Sequence, residues 1–315
     1  MPKESKPRAG SLQFWPRKKA GKLIPSVNWK AIKSDSTGIL GAIAYKVGMS
    51  SAYVKDLTPN SLTKEKKIVI PVSILEVPPM KILSVRFYKN NKVVKEILAE
   101  NLDKELVKKI KMPKNKAKEK NKEYDDLRII VYSKVKDTNI KKTPDLAEIA
   151  LGGDLENKLK FVEEKKNKEI LVSEILANAK LIDVRGLTKG KGFSGPVKRF
   201  GIKLRQHKSE KGVRKVGSVA PWHPARITFR SPMAGQLGLF SRIVYNSKIL
   251  GLGKISEKDI NPKEGWKNYG KIKTEYLILK GSIQGPSKRA LLLTSALMPS
   301  KNQLKKQYEF IKLIR

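Results

Sequence analysis

Two short stretches hold the residues that could do chemistry: GKGFSG at 190–195 and the Trp222–His223 pair. The first has the G-x-G-x-x-G spacing that lets a backbone approach a pyrophosphate, and it follows a strand-like run. What comes next argues against a dinucleotide site. Pro196 and the basic VKRFGIKLR do not open an apolar helix, and no acid follows where a ribose would need one. Read as a Walker loop, GLTKGKG is a residue short and lacks a Ser or Thr after Lys191. What the glycines offer is close backbone approach to phosphate, with Lys189, Lys191, Lys198 and Arg199 supplying charge. The plainer alternative is a solvated basic loop. His207 and His223 are the only histidines and stand 16 residues apart, without Cys or an acidic cluster. That pattern suits a hydrogen bond to backbone or phosphate better than a metal or a general base. No carboxylate pair is placed for acid–base work.

Trp222 lies within GSVAPWHPARITF (217–229), between Pro221 and Pro224, with no acid within six residues on either side. Two readings stay open on composition alone. The ring tucks into a small local core, or it stacks on RNA bases with Arg226 and Arg230 close by.

The bulk properties favour a polyanionic partner. The chain has 315 residues, 68 Lys or Arg against 29 acids, and a formal net charge of +39. Such self-repulsion suits a protein neutralised by nucleic acid, and an anionic membrane less well. There is no cysteine, which excludes disulfides, thiolate metal sites and cysteine nucleophiles, and fits a cytosolic protein. MPKESKPRAG lacks a signal peptide's apolar stretch, and no uncharged run exceeds 11 residues, so no membrane span is expected.

The charges are unevenly spread. Residues 1–33 carry nine basic residues, one acid (Glu4) and four prolines, and read as an extended arm without packed elements. GILGAIAYKVGMSSAYV (38–54) reads as two short strands about a glycine kink. In 67–88, Val72, Ile74 and Val77 predict one strand and Ile82, Val85 and Phe87 the next, broken at Pro78–Pro79. Residues 100–180 hold 16 acids and 20 basic residues. There KEILAENLDKELVKKIKM shows helical spacing, KNKAKEKNKE reads as a turn and YDDLRIIVYSK as a buried strand. TPDLAEIALGG reads as a helix that starts at Thr143–Pro144 and ends at Gly152–Gly153. KLIDVRG (180–186) returns to strand. From Val184 to Ser256 there are 16 Lys or Arg and one acid, Glu210. YLILKGSIQGPSKRALLLTSAL predicts two strands about Gly285–Pro286.

Several blocks then match one family. VRGLTKGKGFSGPVKRFGIK, RKVGSVAPWHPARITFRSPMAGQLG, KILGLG and LILKGSIQGPSKRALLL resemble the universal family of the third protein of the large ribosomal subunit. PWHPAR and the arm RAGSLQFWPRKKA resemble its archaeal and eukaryotic branch, and AIAYKVGM (42–49) its opening strand. The matches run in order from residue 8 to about 293. The resemblance implies a mainly β fold: a six-stranded translation-protein-type β-barrel with an α/β insertion, a long basic loop and a basic N-terminal arm. It divides the chain into an arm (1–35), the first barrel part (36–94), the insertion (95–178), a barrel strand (179–189), the rRNA-binding loop (190–240) and the remaining barrel with a C-terminal tail (241–315). It also implies early assembly, binding near the 3′ end of the large rRNA, and a Trp222 loop that approaches the peptidyl transferase region. Where eukaryotic members carry a His ahead of the Trp, this chain reads SEKGVRK, so nothing specific to that His carries over.

Residues and resemblance together point to a structural, non-catalytic rRNA-binding protein. Its expected contacts are Arg8, Arg17, Lys18 and Lys19 in the arm, and Lys189, Lys191, Phe193, Lys198, Arg199, Arg205, His207, Arg214, Lys215, Trp222, His223, Arg226 and Arg230 in the loop, with Arg242 beyond it. Expected partners are large-subunit rRNA and neighbouring ribosomal proteins, with no cofactor, metal, membrane or small-molecule substrate. The alternative is a nucleic-acid-modifying enzyme with a basic channel, which would need a cofactor loop or a carboxylate or metal centre.

Overall fold

The computed structural model describes residues 7–8, 10–32, 37–111, 123–176, 179–208, 211–223 and 225–314. Most of the Lys-rich turn at 114–123 lies outside them, as do Glu4, Glu210 and Pro224. The fold is mainly β. In chain order the strands are β1 (Gly38–Ile39), β2 (Gly41–Asp56), β3 (Lys67–Val77), β4 (Met80–Lys89), β5 (Lys92–Leu98), β6 (Asp126–Ser133), β7 (Leu146–Gly152), β8 (Leu181–Leu187), β9 (Phe193–Ser194), β10 (Gly235–Gln236), β11 (Ser241–Lys254), β12 (Glu275–Lys280), β13 (Ala290–Ser295) and β14 (Tyr308–Ile314). The helices are short: α1 (Leu155–Lys165), α2 (Val172–Leu176), α3 (Pro196–Phe200) and α4 (Lys301–Lys305).

The chain divides into two compact units. The smaller joins Met1–Lys22 to Leu187–Ser241, and the larger holds the rest. In the larger unit one sheet runs β13-β8-β11-β12-β3-β2-β14, and β13 also pairs with β2. Six of these strands therefore each have a neighbour on both sides, while β14 is joined to β2. The second sheet of this unit runs β1-β7-β6-β4-β5. One core cluster draws on both sheets. At its centre Tyr45 is fully buried, with its hydroxyl 2.7 Å from Ser133 Oγ and donating to Asp145 at 2.7 Å. Gly41 is required by close approach: a Cβ there would meet the Leu293 carbonyl at 2.7 Å and the Trp29 ring at 3.1 Å.

Four elements differ from the sequence reading. The stretch 38–54 is one long strand after a two-residue β1, because a bulge at Val47 absorbs the irregularity that the glycines suggested. The helical spacing of 95–110 gives way to β5 and a 3-10 turn (Lys104–Lys108). The cause is local. Asn90 and Asn91 both adopt positive φ, the backbone of a tight hairpin turn, and fold β5 back on β4. The helix expected in TPDLAEIALGG is strand β7, paired with β6 from Arg128 to Tyr132, and tertiary pairing overrides the helix-favouring Leu, Ala and Glu. Finally, the arm is not free of packing. Trp29 is 5% exposed in the larger unit's core, and its indole N–H donates to the Glu148 carbonyl at 3.0 Å. The C-terminal tail likewise contains a strand, β14.

Among the described residues every ion pair lies between Lys81 and Glu174. Glu148 on β7 is the hub. It accepts from Arg86 at 3.0 Å, Arg128 at 3.1 Å and the Tyr88 hydroxyl at 2.9 Å.

Candidate nucleic-acid interface

The smaller unit is built on a stem. The basic loop leaves β8 and returns to β11 with its two limbs side by side. Thr188 N donates to Phe240 O at 3.0 Å, Lys191 N to Leu237 O at 2.9 Å, and Leu237 N to Gly192 O at 2.9 Å. Beyond these, β9 pairs with β10. The limbs approach so closely at Gly238 (φ +79°) that a Cβ would lie 1.9 Å from the Lys189 carbonyl oxygen, so only glycine fits. Of the GKGFSG glycines only Gly190 is closed in, a Cβ there lying 3.1 Å from the Leu239 side chain; Gly192 (φ +63°) and Gly195 face open space. The helix after them is the five-residue α3, too short for the dinucleotide motif.

Arginines brace this stem through main-chain carbonyls. Arg199 donates to Gln236 O at 3.1 Å and Met233 O at 2.8 Å. Arg205 donates to Val216 O, while its backbone N–H donates to Val213 O at 3.1 Å, closing a turn that leaves His207 exposed. The arm joins the same frame. Arg17 donates to Arg199 O at 2.6 Å, and Ala20 N to Leu239 O at 3.0 Å. Burial, and then the charge of Arg17, pulls the Arg199 guanidinium below its ordinary value, yet a guanidinium stays protonated.

Aromatic rings hold four of the unit's guanidiniums. Arg17 stands 4.2 Å and Arg199 5.2 Å from the Phe200 ring. Arg8 stands 5.2 Å and Arg230 5.6 Å from the Phe229 ring. Trp15 lies 6.1 Å from Phe200 and 5.9 Å from Phe229. Sequence reasoning passed over these three rings as partners of the arginines. The available signal was an aromatic next to Arg or Pro-Arg in FWPR, RF and FR.

The structure brings Arg8, Arg17, Arg199 and Arg230 together around those rings. Lys18, Lys19, Lys189, Lys191, Lys198, Arg214, Lys215 and Arg226 are exposed, as is His223. Trp222 is 88% exposed and Phe193 82%. The satellite-core reading of Trp222 therefore falls. Arg242 belongs to the larger unit, half-buried at the start of β11, where its carbonyl accepts from Gln284 at 3.1 Å. The unit's sequence holds nineteen Lys or Arg against two acids, Glu4 and Glu210. Among the described residues no three His, Asp or Glu side chains gather as metal ligands.

The arrangement presents cations that are ring-backed or exposed. Comparison with known proteins gives the family. The chain matches ribosomal protein L3 over residues 1–314. It is 37% identical to large ribosomal subunit protein uL3 of Methanocaldococcus jannaschii, over 96% of this chain and 94% of the relative. The protein of the same name in Methanobrevibacter smithii is 39% identical over 95% and 94%, and that in Archaeoglobus fulgidus 37% over 95% and 94%. The chain belongs to the ribosomal protein L3 family. It is a ribosomal protein of archaeal type, works in the cytoplasm within the ribosome, and is not an enzyme.

Proposed function

We propose that the chain is a structural constituent of the large ribosomal subunit that binds large-subunit rRNA through its smaller unit, near the RNA's 3′ end, and assists early assembly. The larger unit is the anchor. Its cyclic order of strand pairings supports the reading of a six-stranded translation-protein-type β-barrel, from which the basic loop departs between β8 and β11. Lys189, Lys191, Lys198, Arg214, Lys215 and Arg226 neutralise phosphates, and Arg8 and Arg230 approach RNA already oriented by Phe229. The loop extends Trp222 toward the peptidyl transferase region, where the indole stacks on a base. The single observation that carries this reading is the 88% exposure of Trp222 on a unit with nineteen cations and two acids. An isolated protein gains nothing from a bare indole, whereas a base-stacking platform does.

Trp222→Ala tests it. Truncating a stacked indole removes about 1–3 kcal/mol of RNA contact, little against the summed electrostatics, so subunits still assemble. The expected result is slower peptide transfer or altered sensitivity to drugs bound there, with an unchanged melting temperature of the free protein. A marked drop in melting temperature with normal peptide transfer overturns the reading.

A further inference from the structure

An open groove of about 450 Å³ lies in the larger unit, lined by Tyr53, Ile260 and Phe310 with Lys258, Asp259 and Lys312. Its walls come from β2, β14 and the segment 258–260 that follows β11. In their register Phe310 faces Val54 and Lys312 faces Tyr53, so Ile311 is an extra residue. Such a bulge re-aims neighbouring side chains, and Phe310 and Lys312 both reach the groove. The Lys258 ammonium stands 5.1 Å from the Phe310 ring, and that of Lys312 stands 5.8 Å from the Tyr53 ring. Asp259 accepts from the Asn261 N–H at 2.8 Å through one carboxylate oxygen, Oδ1. No residue of the groove belongs to the smaller unit.

Two aromatic side chains, each with an ammonium over its face, in a cleft the size of a small-ligand site, form a recognisable chemistry. Ring faces take bases regardless of sequence, and lysines take the flanking phosphates. We propose that this groove seats one unstacked RNA nucleotide, with its base against Tyr53 and Phe310 and its phosphates on Lys258 and Lys312. In the free protein the ammoniums occupy the ring faces, and the base replaces them as they turn outward. Asp259 is an acceptor only, so it selects a base with an exocyclic amino group. The proposal rests on the reading of the chain as rRNA-bound, and adds a contact made by the larger unit. The rival occupant is an extended peptide added along β14, whose only strand neighbour among the described strands is β2. Two cations against one acid at the groove favour the polyanion.

The test uses the unaltered protein. Free chain and assembled large subunits are acylated at lysine, the subunits before and after ribonuclease digestion, and each site is read by mass spectrometry. A seated nucleotide slows acylation of Lys258 and Lys312 in the subunit by roughly tenfold or more, and nuclease restores it. Ultraviolet irradiation of the subunit leaves a nucleotide adduct on Tyr53 or Phe310. Protection that survives nuclease means a protein segment fills the groove and overturns the proposal, as does the absence of protection. Lys189 and Lys198 in the same digest separate the two readings. If they too stay reactive, rRNA binding by the smaller unit fails; if they alone are protected, only the groove proposal fails.

Discussion

Residues 100–180 and the smaller unit carry similar numbers of cations and use them oppositely. Residues 100–180 hold 20 Lys or Arg beside 16 acids, whereas the smaller unit holds nineteen beside two. Within residues 100–180 Arg128 ends on Glu148 and Asp126, and Lys158 on Asp126. In the smaller unit Arg199 and Arg205 end on carbonyls, and Arg8, Arg17 and Arg230 lie over rings. A carboxylate cancels a guanidinium's charge. A carbonyl or an aromatic face orients it and leaves the charge in place. One region is neutralised from within and the other is aimed outward.

The sharpest way to break this comparison is salt. If the smaller unit's cations meet six to ten phosphates, affinity for large-subunit rRNA should fall about 10³–10⁵-fold between roughly 50 and 200 mM salt. A flat dependence, read by filter binding, would make the charge incidental. Next in size is Glu148→Ala, which removes one of two carboxylate partners from each of Arg86 and Arg128 and should cost about 2 kcal/mol in urea unfolding. A cost no larger than that of Arg214→Ala, which should stay within about 0.5 kcal/mol, would erase the contrast.

Acid sharpens it further. For Asp126, burial raises the carboxyl's pKa, but the hydrogen bond and charge of Lys158 outweigh it and the net shift is downward. Asp103 is likewise lowered, the Tyr132 hydroxyl and Lys81 outweighing burial. A folded-state pKa below the unfolded one contributes stability that is present above about pH 4 and is lost as pH falls through the folded value. Amide exchange over residues 100–180, taken relative to its intrinsic rate, should therefore quicken below about pH 4. The smaller unit, with no carboxylate side chain among its described residues, should not respond through this route; equal quickening there would refute the contrast. The smallest effect is that of Lys198→Ala. It should leave the melting temperature alone and lower the salt slope by about 0.7–0.9, one phosphate contact.

The strands that the sequence announced are those whose cues are local: β3 and β4 broken at Pro78–Pro79, β6 in YDDLRIIVYSK, β8 in KLIDVRG. β5 and β7 were masked because Leu, Ala, Glu and Lys favour helix wherever packing does not decide. The cations of the interface were legible from composition, and Trp222 from its prolines. Their supports were not. Trp15 meets Phe200 and Phe229, and Trp29 meets Glu148, across long separations in the chain. No local pattern encodes such partners.

The pairing of β13 with β2 has a consequence for synthesis. Gly41–Tyr45 lies against Ala290–Thr294, so one side of the junction is translated long before the other. At roughly 5–20 residues per second the second strand follows by about 12 to 50 s. Throughout that interval the first residues of β2 present an unmatched edge; β8 adds a second once it is made, and the whole basic loop follows before β13 arrives to close them. A message cut short before Ala290 would leave both edges open for good, ready to pair with other chains. The last strands of the protein thus act as its timer: until they arrive, the nascent chain is charged and sticky, and afterwards it is only charged.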